Sequence, residues 1–161
     1  MNAAGFPLLS LLTFLPLAGA IAILPLRGED KVTAENARWT ALWTSLIVFA
    51  LSLILWFRFD KTDPGFQFVE RIDWLSEFGI TYHMGVDGIS VLFILLSTLL
   101  TPICILASWD SIQSRVREYM VAFLVLETMM VGMFAALDFI VFYVFFEGVL
   151  IPMFLIIGVW G

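Results

Sequence analysis

Residues 139–160 form one apolar run that carries a single carboxylate, Glu147. An α-helix needs about 20 apolar residues to cross the hydrocarbon of a bilayer. A run of that length leaves little choice of fold. Inside lipid every backbone N–H and C=O must be bonded within the protein, and only helices and closed barrels achieve this. Barrel strands alternate apolar and polar residues; this run does not alternate, and neither do the four others of similar character.

Those four cover residues 6–26, 39–57, 89–108 and 119–137. The sequence therefore predicts an all-α, polytopic transmembrane helix bundle with about five helices, and residues 1–161 as a single membrane domain. Composition supports this: only 14% of residues are charged, against about 25% in soluble domains. The net charge of −6 is spread over short blocks between the runs. No basic patch is interleaved with aromatics, which argues against nucleic acid as a partner. The lone cysteine, Cys104, excludes an internal disulfide and falls far short of a zinc or iron–sulfur ligand set. No Lys or Arg precedes the first run, and that run is too long for a signal-peptide core, so it reads as a retained helix. An odd bundle ending at Gly161 reads as the N-terminal part of a longer chain.

The connections differ in length. Residues 27–38 and 109–118 are short and charged, and Asp138 alone marks the turn between the last two runs. Those two are expected to be antiparallel neighbours. Residues 58–88 form a long loop, with 66–78 expected as irregular or amphipathic structure at the interface. Asp87 or Ser90 is expected to cap the third helix. Arg27, Lys31, Arg38, Arg115 and Arg117 lie in the short loops, against Arg58, Lys61 and Arg71 in the long one. The excess of positive charge predicts the short loops inside, with the N-terminus and 58–88 outside.

A carboxylate at mid-membrane depth costs about 2.5–3.5 kcal/mol on insertion scales and usually faces protein, water or a partner charge. Glu147 is therefore the leading candidate for an ion or proton pathway, and Glu127 in the fourth run is a second, weaker one. Counting about 1.5 Å per residue from opposite ends places them at similar depth, about 12 and 13 Å in. Whether they face each other depends on helix rotation. Thr128 and Gly132 are small residues beside Glu127, which suggests that it points into a helix contact. Pro152 removes the helical donor to the Gly148 carbonyl. Two readings of it stand: a loosened, hydrated turn beside Glu147, or a kink for packing. Pro16 and Pro102 carry the same ambiguity. Asp138 reads as a capping or solvated carboxylate, His83 as a surface residue, and the Met129, Met130 and Met133 cluster as packing. The alternative reading of each is a neutral structural acid hydrogen-bonded to a neighbouring helix, and it weighs more for Glu127 than for Glu147.

The stretch Leu137-Asp138-Phe139 through Phe146-Glu147-Gly148-Val149-Leu150-Ile151-Pro152 to Trp160-Gly161 resembles helix five of chain M, or chain 4, of NADH–quinone oxidoreductase. Gly85-Val86-Asp87-Gly88-Ile89-Ser90 is similar to that family's signature at the start of helix three, and Leu126-Glu127-Thr128 fits its bacterial pattern. The resemblance is loose over residues 1–60 and tight over 80–161. It implies an antiporter-like subunit of about 14 helices in the membrane arm of respiratory complex I, taking part in proton translocation. It implies that Glu147 pairs with a lysine beyond residue 161. It further implies other membrane-arm subunits and lipid as partners, and a bacterial inner membrane with the N-terminus and 58–88 on the periplasmic face. No cofactor, metal or redox site is expected in this chain, since NADH, flavin, iron–sulfur and quinone sites belong to other subunits in that family. A subunit of a multi-subunit sodium–proton antiporter, a membrane-bound hydrogenase subunit and a purely structural membrane subunit are the alternatives.

Overall fold

A computed structural model describes residues 5–28 and 30–161. Five helices and one hairpin appear in the order α1 (Leu8–Ile23), α2 (Lys31–Arg58), β1 (Gln67–Leu75), β2 (Ile80–Val86), α3 (Gly88–Ala107), α4 (Val116–Ala135) and α5 (Phe139–Trp160). Among the described residues, α2, α3, α4 and α5 are long and apolar enough to cross a membrane. α1 is equally apolar but has only 16 residues. Pro7 stands at its start and Pro25 just beyond its end, and each restricts the backbone there.

Helix α2 begins eight residues earlier than the apolar pattern predicted. Its first turns, Lys31 to Arg38, are polar on one side and bury Thr33, Ala37 and Arg38 on the other. Thr33 Oγ1 donates to the Asp30 carboxylate at the helix start. Tertiary packing of that stripe decides the boundary, which a search for continuous apolar runs misses.

The long loop is not irregular. Residues 66–78 supply β1 and a short 3₁₀ turn, Ser76–Phe78, and β1 pairs antiparallel with β2. Gly79, at φ +67°, closes the turn in the left-handed region that favours glycine. Register shifts at both ends of β1 obscure the alternation. At one of them Phe68 adopts φ +54° and buries its ring completely, a bulge that re-aims one side chain.

Carboxylates fasten this hairpin to two helix N-termini. Glu70 accepts from the amides of Leu9 (2.9 Å) and Ser10 (3.1 Å) and from the Ser10 hydroxyl. The start of α1 has no side-chain cap of its own, so Glu70 caps it from another element. Ser10 Oγ also lies 2.7 Å from the Tyr82 hydroxyl. Glu70→Ala is expected to destabilise the start of α1 by about 1 kcal/mol; faster hydrogen exchange at the Leu9 and Ser10 amides would report it, and unchanged exchange would contradict the assignment.

The core forms two clusters. Leu12, Val48, Phe68, Met84, Ile94 and Val131 pack at the hairpin end. Ala20, Leu42, Ile105, Tyr119 and Leu124 pack at the other. That far end is closed by arginines: Arg117 donates to the Leu26 carbonyl (2.6 Å) and Arg38 to that of Ile112 (2.8 Å). Arg38, expected in a loop, lies inside α2, 5% exposed, with its guanidinium 5.9 Å from the Trp109 ring centroid.

Candidate functional site

Helix α5 begins at Asp138. Its Oδ1 accepts from the amides of Ile140 (2.9 Å) and Val141 (3.3 Å), an N-cap. Its Oδ2 accepts from the amide and hydroxyl of Thr81 on β2. Beside it the Leu137 amide donates to the His83 carbonyl (2.8 Å). The turn between α4 and α5 is therefore bound into the hairpin. The Thr81 amide above all, opposed next by desolvation and aided by the Val141 and Ile140 amides, holds the Asp138 carboxyl below its usual 3.8. A lowered folded value means that the contribution to stability is full above that usual value and is lost as pH falls through the folded one. Protection of the Ile140 and Val141 amides, as exchange relative to the intrinsic rate at each pH, is expected to fall on acidification over that range and, in Asp138→Ala, to be low already and flat with pH there.

Beyond its cap, α5 is the least enclosed helix: among its residues only Val141, Phe145 and Pro152 are buried. Spacings of four and seven place these three on one stripe. That stripe meets α4 at close range. A Cβ placed on Gly132 would lie 2.5 Å from Cε1 of Phe145, and one on Gly148 would lie 2.7 Å from the Met129 sulfur. Small residues allow this approach. Burial of Pro152 on the same stripe supports packing as its role.

Glu147 lies two residues beyond Phe145, about 200° around the helix. It is exposed, on the side of α5 turned away from α4. Phe142, Tyr143, Phe146, Leu150 and Phe154 are exposed on the same helix. Glu127 is the opposite case. It continues the stripe of Met120, Leu124, Val131 and Ala135 on α4 and is 1% exposed. Neither of its carboxyl oxygens has a hydrogen-bond partner among the described residues, and neither does the Thr128 hydroxyl. The two carboxylates thus differ in direction: Glu127 points into the bundle, Glu147 out of it. Rotation of α5, set by the Gly132–Phe145 contact, decides this, and spacing along the sequence could not.

One buried polar contact escaped the sequence reading. The Thr98 hydroxyl on α3 donates to Ser52 Oγ on α2 (2.8 Å). Hydroxyls in apolar helices usually bond their own backbone, so only the helix pairing exposes this one.

Fold and site together define a polytopic helical membrane subunit with one carboxylate enclosed in its bundle and another presented on an open helix face. Residues 31–136 match the family model described as NADH-ubiquinone oxidoreductase chain 4, amino terminus. The chain is 51% identical over 155 residues to NADH-quinone oxidoreductase subunit M of Rhodobacter capsulatus, covering 96% of this chain and 30% of that protein. It is 45% identical to NADH-ubiquinone oxidoreductase chain 4 of Mycosarcoma maydis, covering 96% and 31%. Respiratory complex I from Thermus thermophilus with bound NADH contains a chain similar in structure, with TM-score 0.75, 27% identity, and coverage of 95% and 29%. The chain belongs to the NADH-quinone oxidoreductase subunit M, or chain 4, family. It spans about a third of the length of these relatives.

Proposed function

We propose that this chain is part of an antiporter-like membrane-arm subunit of NADH-quinone oxidoreductase, and that the complete subunit takes part in moving protons across the membrane as electrons pass from NADH to quinone. Glu147 is the pathway carboxylate in this reading and Glu127 a second station. The observation that carries it is the placement of Glu147, an acid within a 22-residue apolar helix, exposed on the face that the other described helices leave open. A carboxylate there requires a partner charge or water. A lysine from the rest of the chain would supply the charge, and separating the pair would free the lysine's proton. In this reading the electron carriers sit in other subunits and this chain contributes to proton movement.

The hairpin end faces the outer side in this proposal and the opposite end the inner side of a bacterial plasma membrane. Arg27, Lys31, Arg38, Arg115 and Arg117 gather at that opposite end, in line with the preference of cationic loops for the inside. Named relatives of this identity are NADH-quinone oxidoreductase subunits, which favours the respiratory reading over a sodium–proton antiporter. The test is NADH-driven proton uptake by membrane vesicles carrying Glu147→Gln in the full-length subunit, with assembly checked separately. Normal uptake by an assembled complex would defeat the proposal for Glu147.

A further inference from the structure

The centre of the bundle holds a polar layer that Glu147 does not touch. On each of four helices, buried polar side chains fall between the two apolar clusters: Thr13 on α1, Ser45 on α2, Ser97, Thr98 and Thr101 on α3, and Glu127 and Thr128 on α4. Most of the hydroxyls are bonded. Ser97 Oγ donates to the Phe93 carbonyl and Thr101 Oγ1 to that of Ser97, each at 2.9 Å. The exceptions sit together on α4: both carboxyl oxygens of Glu127, and Thr128 Oγ1.

Helix register places Glu127 at the level of Ser97 and Thr101 on α3. Phe93 of α3 stacks on Phe134 of α4, with ring centroids 5.2 Å apart. The two helices run antiparallel, so Ser97 and Thr101, four and eight residues on from Phe93, lie level with Met130 and Leu126. Glu127 falls between those levels. It also lies seven residues before Phe134, two helical turns, and so shares its face. Ser97 shares the face of Phe93 by the same rule. Both hydroxyls are buried, at 4% and 8% exposure. Pro102 adds a further acceptor at this level, because it has no N–H to give the Thr98 carbonyl.

The chemistry of this layer is one-sided. The hydroxyl hydrogens of Ser97 and Thr101 are directed to their own helix, so to a neighbour across the α3–α4 contact these groups offer lone pairs. A carboxylate is also an acceptor. Acceptors facing acceptors need a molecule that donates more than once, and water does. Buried water makes about three hydrogen bonds to polar groups that otherwise lack partners, and the Thr128 hydroxyl supplies a donor for the water oxygen.

We propose that Glu127, Thr128, Ser97 and Thr101 form a water-binding site at the centre of the bundle, and that Glu127 exchanges a proton with it. One carboxyl oxygen takes a proton from a hydrated proton in the site, leaving neutral water, and returns it by the reverse step. The proposal does not rest on the role of Glu147, which lies on the far side of α5.

The experiment is a high-resolution structure of the assembled oxidoreductase with the full-length subunit, as wild type and as Ser97→Ala/Thr101→Val. The expected result is ordered density within hydrogen-bonding distance of Glu127 and of Ser97 or Thr101, lost in the double variant. Proton uptake per NADH should fall in that variant while quinone reduction continues. A dry Glu127 bonded directly by another side chain overturns the site, and so does water density unchanged by the double substitution. Should the variant fail to assemble, the wild-type density alone decides whether water is held. Glu127→Gln then decides the exchange, because unchanged proton uptake in that variant overturns it. An intact wild-type water site alongside a silent Glu147→Gln would separate this proposal from the functional reading above.

Discussion

Glutamine in place of Glu147 in the full-length subunit is expected to lower NADH-driven proton uptake by about tenfold or more, with the complex still assembled. Two opposite charges about 4 Å apart, at the effective dielectric of about 20 that suits protein sites, attract by about 4 kcal/mol. A change of about 1.4 kcal/mol already shifts an equilibrium or a rate tenfold. Glutamine keeps the size of the side chain and removes that attraction. Folding should be spared, because Glu147 lies outside the buried stripe of Val141, Phe145 and Pro152 that fixes α5 to α4. Vesicle proton uptake, measured beside quinone reduction with an uncoupler and a check of subunit content, distinguishes the outcomes. Loss of uptake with assembly intact supports a pathway carboxylate. Loss of assembly would mean that Glu147 is a structural partner of the segment that covers α5, and full uptake would mean that protons do not depend on it.

Gly132→Val is expected to fail for the opposite reason, by packing. The first added carbon would sit 2.5–2.6 Å from three carbons of the Phe145 ring, well inside van der Waals contact. Phe145 is buried, so its ring or helix α5 must shift to admit the added carbon. Overpacking of this kind costs about 1–3 kcal/mol, and a β-branched residue adds methyls on both sides. The amount of assembled complex and its thermal inactivation temperature should both fall. Phe145→Leu on the same chain should recover part of the loss, since residues in contact do not act additively. A fully stable Gly132→Val variant would mean that α4 and α5 do not meet at this point.

Both predictions depend on the rotation of α5, and the two carboxylates illustrate what was legible in advance. The apolar runs marked the helices, because lipid leaves a crossing chain no other backbone solution. Counting inward from opposite ends of the last two runs led to the expectation that Glu127 and Glu147 lie at similar depth. The hairpin was not legible: bulges at both ends of β1 break the alternation that announces a strand, and its stability comes from Glu70, Thr81 and His83 reaching helix ends remote in sequence. The start of α2 was missed for a similar reason. Arg38 reads as a loop charge, yet its guanidinium is drawn in by the Ile112 carbonyl and the Trp109 ring.

By itself the sequence determined that this chain builds apolar helices, that acids lie within two of them, and which family its motifs resemble. Those properties follow from run length and composition, which act locally. Tertiary structure alone decided that Glu127 turns inward among unpaired polar atoms, that Glu147 turns outward, and that a hairpin locks the ends of α1 and α5. Direction around a helix is set by which neighbour can approach closely, and here a glycine against a phenylalanine ring on the next helix sets it.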